Sequence, residues 1–244
     1  PRGDIMSYIY QLKDDNVDLN YKDKDELYQK ELVDYVLESR DIHKIYNLLL
    51  YIKGSEWDLL LQAFLDAHDV HYIFQLFIYT LSNTGLPTDK IIEETIKSAL
   101  KTKDESYMYQ ILKIIPREAY AFKKALELRL LLFKSICDTK DVSIMFACYF
   151  YFSREEDFVY QMLLDSILAS RNYYFILELL LKVGDIKTCK MKREKNELFL
   201  EKNYLRIKNI LMECQDKELY LEFQNRINNK LFSRDLEEFI KLER

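Results

Sequence analysis

The sequence predicts an all-α protein, an irregular α-solenoid of stacked antiparallel helix pairs, and three observations carry that reading. Only 4 Gly and 3 Pro occur in 244 residues, too little turn chemistry for a chain of hairpins, and no stretch sustains the period-two alternation of strands. A short unit recurs: a small residue, a basic or polar one, then Asp or Asn, with apolar groups four, five, seven and eight positions later. Large apolar side chains are plentiful, with 49% hydrophobic and 14% aromatic residues, which suits the broad interfaces between stacked helices.

The recurring unit is plain in five places. Ser39-Arg40-Asp41 precedes Ile45, Tyr46, Leu48 and Leu49, and Ala67-His68-Asp69 precedes Ile73, Phe74, Leu76 and Phe77. Thr102-Lys103-Asp104 precedes Met108, Tyr109, Ile111 and Leu112, and Thr139-Lys140-Asp141 precedes Met145, Phe146, Cys148 and Tyr149. Ser170-Arg171-Asn172 leads to Ile176, Leu177, Leu179 and Leu180, and a looser Cys214-Gln215-Asp216 precedes Tyr220, Leu221 and Phe223. Asp or Asn accepts hydrogen bonds from the free N–H groups of a first helical turn, so each unit reads as an N-cap. The apolar offsets fall on one face of a 3.6-residue helix. The residues before each cap end another amphipathic segment, as Leu32, Val33, Val36 and Leu37 do before Asp41. The unit is therefore helix, tight corner, helix. Caps at 41, 69, 104, 141, 172 and 216 lie 28 to 44 residues apart, the range of helix-pair repeats but too uneven for a regular array.

Taken in order, residues 1–24 read as a terminal segment and polar linker, and 25–244 as a single elongated helical repeat domain. Pro1-Arg2-Gly3 reads as a cloning remnant and the chain as a piece of a longer one. Arg2-Gly3-Asp4 spells an integrin-type tripeptide by coincidence. Ile5 to Leu12 is a short apolar patch. Asp14, Asn16, Asp18 and Asp25 mimic part of a calcium loop, but Leu19 stands where its turn needs Gly, so the stretch reads as a solvated linker. Helices are expected at 25–38, 41–53, 55–66, 69–83, 88–101, 104–115, 117–138, 141–152, 154–169, 172–183, 197–214, 216–232 and 234–243. Gly54-Ser55 makes a corner with Ser55 as cap. Gly85-Leu86-Pro87-Thr88 is the clearest break. Ile115-Pro116 stops a helix because the residue before Pro is pushed from α geometry, and Ser153 with Glu156 fits a capping box.

Gly184 to Asn196 departs from the rhythm as a long basic connection with Lys187, Lys190, Lys192, Arg193 and Lys195. It reads first as a solvated insertion, then as a docking element for an acidic partner protein, and last as one for phosphates. Phe146, Tyr149, Phe150, Tyr151 and Phe152 ring their helix almost completely, which marks a central packed helix or one side of an interface.

The residues that chemistry requires are scarce. The three His stand at 43, 68 and 71; His68 and His71 flank a cap rather than form a metal site. No phosphate-cradling glycine loop, H-E-x-x-H or G-x-S-x-G pattern occurs, and adjacent Glu155, Glu156 and Asp157 suit a helix N-terminus for dipole reasons alone. The sequence predicts no enzyme, no cofactor, no metal and no small-molecule substrate. A net charge of −5 argues against nucleic-acid binding, and the aromatics Tyr46, Phe74, Tyr109 and Phe146 sit at offsets expected to be buried, as does Trp57. Cys137, Cys148, Cys189 and Cys214 are too scattered for a framework and read as free thiols of a reducing, intracellular compartment. The densest apolar run, Leu126 to Phe133, is broken by Arg129 and too short to span a membrane.

Val36-Leu37-Glu38-Ser39-Arg40-Asp41 through Tyr46, Leu50, Gly54 and Leu59-Leu60 resembles the helical scaffold nucleoporins, especially the C-terminal solenoid of the large inner-ring class. Asn172 to Val183, Leu200 to Leu211 and Asp216 to Leu231, with Phe223-Gln224 and Ile227, resemble that family's late helices in order. The resemblance implies a non-enzymatic scaffold at the nuclear envelope that binds other pore subunits. The residues alone give a broader expectation: a scaffold binding other proteins of a large intracellular assembly. The alternatives are a helical adaptor that captures peptides and a vesicle-coat or tether subunit.

Overall fold

Every regular element among the described residues of the computed structural model is an α-helix; the structure describes residues 26–52, 54–82, 85–115, 123–188, 194–219 and 221. The helices are α1 (Glu26–Ser39), α2 (Ile42–Leu49), α3 (Ser55–Asp66), α4 (Val70–Leu81), α5 (Thr88–Thr102) and α6 (Glu105–Ile114). They continue with α7 (Lys123–Thr139), α8 (Val142–Tyr151), α9 (Asp157–Ala169), α10 (Tyr173–Thr188), α11 (Lys195–Lys202) and α12 (Tyr204–Leu211). The expected terminal patch, the calcium-like stretch, the tripeptide at 2–4 and the helix at 234–243 lie outside the described residues.

The recurring unit builds one corner many times over. Asp41 accepts from the N–H groups of His43 and Lys44, Asp69 from Tyr72, Asp104 from Tyr107, and Asp141 from Ser143 and Ile144. Asn172 accepts from Phe175, and Asp216 from Glu218 and Leu219. Where the first residue of the unit carries a hydroxyl, that hydroxyl ties the corner to the helix before it. Ser39, Thr102, Thr139 and Ser170 each donate a hydroxyl to the carbonyl three residues back. In three of these, Ser39, Thr102 and Ser170, the hydroxyl oxygen also accepts from the cap's own N–H.

The middle residue turns the chain. Arg40, His68, Lys103, Lys140 and Arg171 all lie at positive φ, between 51° and 65°. This left-handed conformation costs an L-residue roughly 1–2 kcal/mol, and glycine is the usual occupant after a helix. A basic side chain offsets part of the cost by facing the negative end of the preceding helix dipole. Lys103→Gly is therefore expected to stabilise the protein by roughly 0.5–1 kcal/mol, and Lys103→Val to destabilise it by at least about 1 kcal/mol. Urea denaturation of both variants checks the sign.

The chain falls into two compact units, Pro1–Leu132 and Phe133–Arg244. In the first, alternate helices pack side by side, α1 on α3, α2 on α4, α3 on α5 and α4 on α6, and consecutive helices pack at α1–α2, α2–α3, α4–α5 and α5–α6. In the second, α8 packs on α9 and α10, α9 on α10 and α11, and α10 on α11 and α12. The stripe residues Ile45, Leu48 and Leu49, Ile73, Leu76 and Phe77, and Met108, Ile111 and Leu112 are buried, as are Met145, Cys148 and Tyr149 and Ile176 to Leu177 with Leu179 and Leu180.

Several local expectations give way to other bonds. Gly54, at φ 92°, caps α3 in place of Ser55, which is already helical. The Ser153–Glu156 capping box does not form; α9 begins at Asp157, and the Tyr160 hydroxyl closes the preceding turn by accepting from Glu155 N–H and donating to the Phe152 carbonyl, both at 2.8 Å. The expected helix 197–214 is two helices meeting at Asn203. The amide of Asn203 donates to the Phe199 carbonyl at 2.9 Å, the kind of competition with the helix ladder that makes Asn a breaker. Ile115, by contrast, is extended before Pro116, as expected.

Tyr107, in the first turn of α6, is 8% exposed and its hydroxyl has no hydrogen-bond partner among the described residues; its ring packs 4.9 Å from that of His68. Burial pushes its pKa from 10.0 up to about 12. The neutral phenol is thus favoured in the folded state, so its contribution is complete below pH 10 and is lost as pH rises through about 12. Tyr107→Phe is expected to raise stability at neutral pH by about 1 kcal/mol, since it removes a buried unmet hydroxyl. It should also flatten the alkaline limb of the stability–pH profile.

Candidate protein-interaction face

In the first four helix–corner–helix units the two helices differ in charge. α1 carries Glu26, Lys30, Glu31, Asp34 and Glu38, and α5 carries Asp89, Lys90, Glu93, Glu94, Lys97 and Lys101. The second helices of these four are nearly bare, whereas α10, which follows Asn172, carries Glu178, Lys182, Asp185 and Lys187. α4 and α8 contain no Asp, Glu, Lys or Arg, α2 has only Lys44, and α6 has Glu105 and Lys113. A helix that faces only water on its outer side normally carries a charged stripe there.

In the unit Pro1–Leu132 the outward faces of α2, α4 and α6 repeat one pattern, read from the caps Asp41, Asp69 and Asp104. Two positions on stand His43, His71 and Ser106; five on, Tyr46, Phe74 and Tyr109; six on, Asn47, Gln75 and Gln110; nine on, Leu50, Ile78 and Lys113. The first set is exposed, and the amides are half-buried. The aromatics correct an expectation: the +5 position lies at the edge of the buried stripe, so Tyr46 and Tyr109 are half-buried and Phe74 is 44% exposed. Ile78 and Leu81 extend the apolar strip of α4, at 51% and 62% exposure.

Short-range contacts hold these side chains in place. Asn47 Nδ2 lies 3.2 Å from His43 Nε2, whose Nδ1 lies 3.2 Å from the Tyr72 hydroxyl. Gln75 Nε2 lies 2.9 Å from His71 Nε2. Tyr46 stacks on Phe64 with ring centroids 6.0 Å apart and meets Tyr72 at 5.6 Å. Burial raises the Tyr46 pKa, helped by the neighbouring Tyr79, Tyr51 and Tyr72. Lys113 sits 5.2 Å from the Tyr109 ring centre, and Lys44 pairs with Asp41 at 3.9 Å. The three His thus lie in one unit without converging; among the described residues no group of three or more His, Cys, Asp or Glu is gathered as for a metal.

In the unit Phe133–Arg244, α8 has the same uncharged character. Tyr149 is fully buried and Phe152 nearly so, whereas Phe146 and Phe150 are half-buried and Tyr151 is 53% exposed. Phe146 packs on Phe150 at 4.8 Å and on Phe175 of α10 at 5.3 Å. The aromatic ring of residues is therefore a packed helix on one side and an open face on the other. Cys148 and Cys214 are buried, and burial pushes the Cys137 thiol up against a Ser166 hydrogen bond that pulls it down.

The basic stretch has less loop than expected. α10 runs through Gly184 to Thr188, and α11 begins at Lys195; one glycine costs a helix only about 1 kcal/mol, and Leu179, Leu180 and Val183 anchor the preceding turn in the core. Lys187 lies in the last turn of α10, and Lys190, Lys192 and Arg193 lie outside the described residues. Lys195 bridges to Glu156 at 3.7 Å and Asp157 at 3.3 Å. Among the described residues no helix is long and apolar enough to cross a membrane. No protein-family model, curated protein or solved structure matches the chain.

Proposed function

We infer that this protein is a structural scaffold, an irregular α-solenoid of antiparallel helix pairs that binds other proteins within a large intracellular assembly. The observation that carries the reading is the unequal charge of the two helices in each of the first four units, α1 to α8. Lining one face with Tyr46, Phe74, Ile78 and Leu81 while charging the other suits a surface that another protein covers. The pairwise packing of like helices within each unit supports the solenoid, whose extended faces serve as contact surfaces. The resemblance to scaffold nucleoporins points to the nuclear pore as the assembly. Capture from extract of the source cells by the wild-type chain and by a Phe74→Asp, Ile78→Asp variant, with partners weighed by mass spectrometry, tests the reading. Stoichiometric partners of one assembly are expected with the wild type and should be lost with the variant. Partners that persist on the variant would refute the face.

A further inference from the structure

We draw no further inference here: the strongest candidate, the exposed apolar strip of Phe74, Ile78 and Leu81 on α4, belongs to the interaction face already described, and nothing in the structure shows what covers it.

Discussion

Asn196→Ala is expected to destabilise the unit Phe133–Arg244 by about 2 kcal/mol, among the larger effects of removing a single polar side chain. Asn196 is 2% exposed and tied to Tyr149 in both directions: its Nδ2 donates to the Tyr149 carbonyl at 3.1 Å, and the Tyr149 hydroxyl donates to the Asn196 carbonyl at 3.0 Å. Asn196 Oδ1 also accepts from Glu197 N–H at 2.9 Å. Alanine removes both side-chain bonds and leaves a buried carbonyl at Tyr149 unmet, with the desolvation penalty uncompensated. Tyr149→Phe keeps the ring and should cost about 1 kcal/mol. Each side chain bonds the other residue's main-chain carbonyl, so either single variant leaves the other bond in place and the double variant should cost close to the sum. Urea denaturation followed by circular dichroism reads all three, and a loss below about 0.5 kcal/mol for Asn196→Ala would refute the account. Burial, together with the nearby Tyr160, also raises the Tyr149 pKa far beyond the usual phenol range. This pair therefore favours folding below pH 10 and loses that contribution only in strong alkali.

Trp57→Ala is expected to cost the unit Pro1–Leu132 about 3–5 kcal/mol. Trp57 is 5% exposed, and its indole N–H donates to the Leu49 carbonyl at 3.0 Å. Leu49 closes α2, so the indole satisfies one of the four carbonyls that a helix end leaves open. Ile52, Leu86 and Pro87 stand around it, and Lys90 lies 5.5 Å from the ring centre. Trp57→Phe separates the two contributions: it keeps most of the packing and loses the hydrogen bond, for about 1–2 kcal/mol. If Phe cost as much as Ala, the hydrogen bond rather than the packing would dominate. The thermal and urea midpoints, followed at 222 nm because Trp57 is the single tryptophan, decide between them.

What could be read along the chain was what short-range bonds control. The caps at Asp41, Asp69, Asp104, Asp141, Asn172 and Asp216 were legible because a side chain and the N–H groups it meets lie two or three residues apart. The left-handed basic residue just before each cap was missed. Its signal was present, since a two-residue corner between helices requires one residue at positive φ, and glycine is absent from all five. The interaction face was legible only in part. The period placed the stripes, but the +5 aromatics sit at their margin, where a turn of a few tens of degrees separates core from surface.

By itself the sequence determined the helical class, the corners and the residues that seed each helix, because these depend on spacing and on bonds within one turn. The tertiary structure alone decided that Asn196 belongs to the core opposite Tyr149, that Tyr160 closes the turn after α8, and that Phe74 looks outward. Those outcomes depend on groups brought together across a helix–helix interface, up to 47 residues apart in the case of Tyr149 and Asn196, and no local pattern encodes which partner a buried polar group will find.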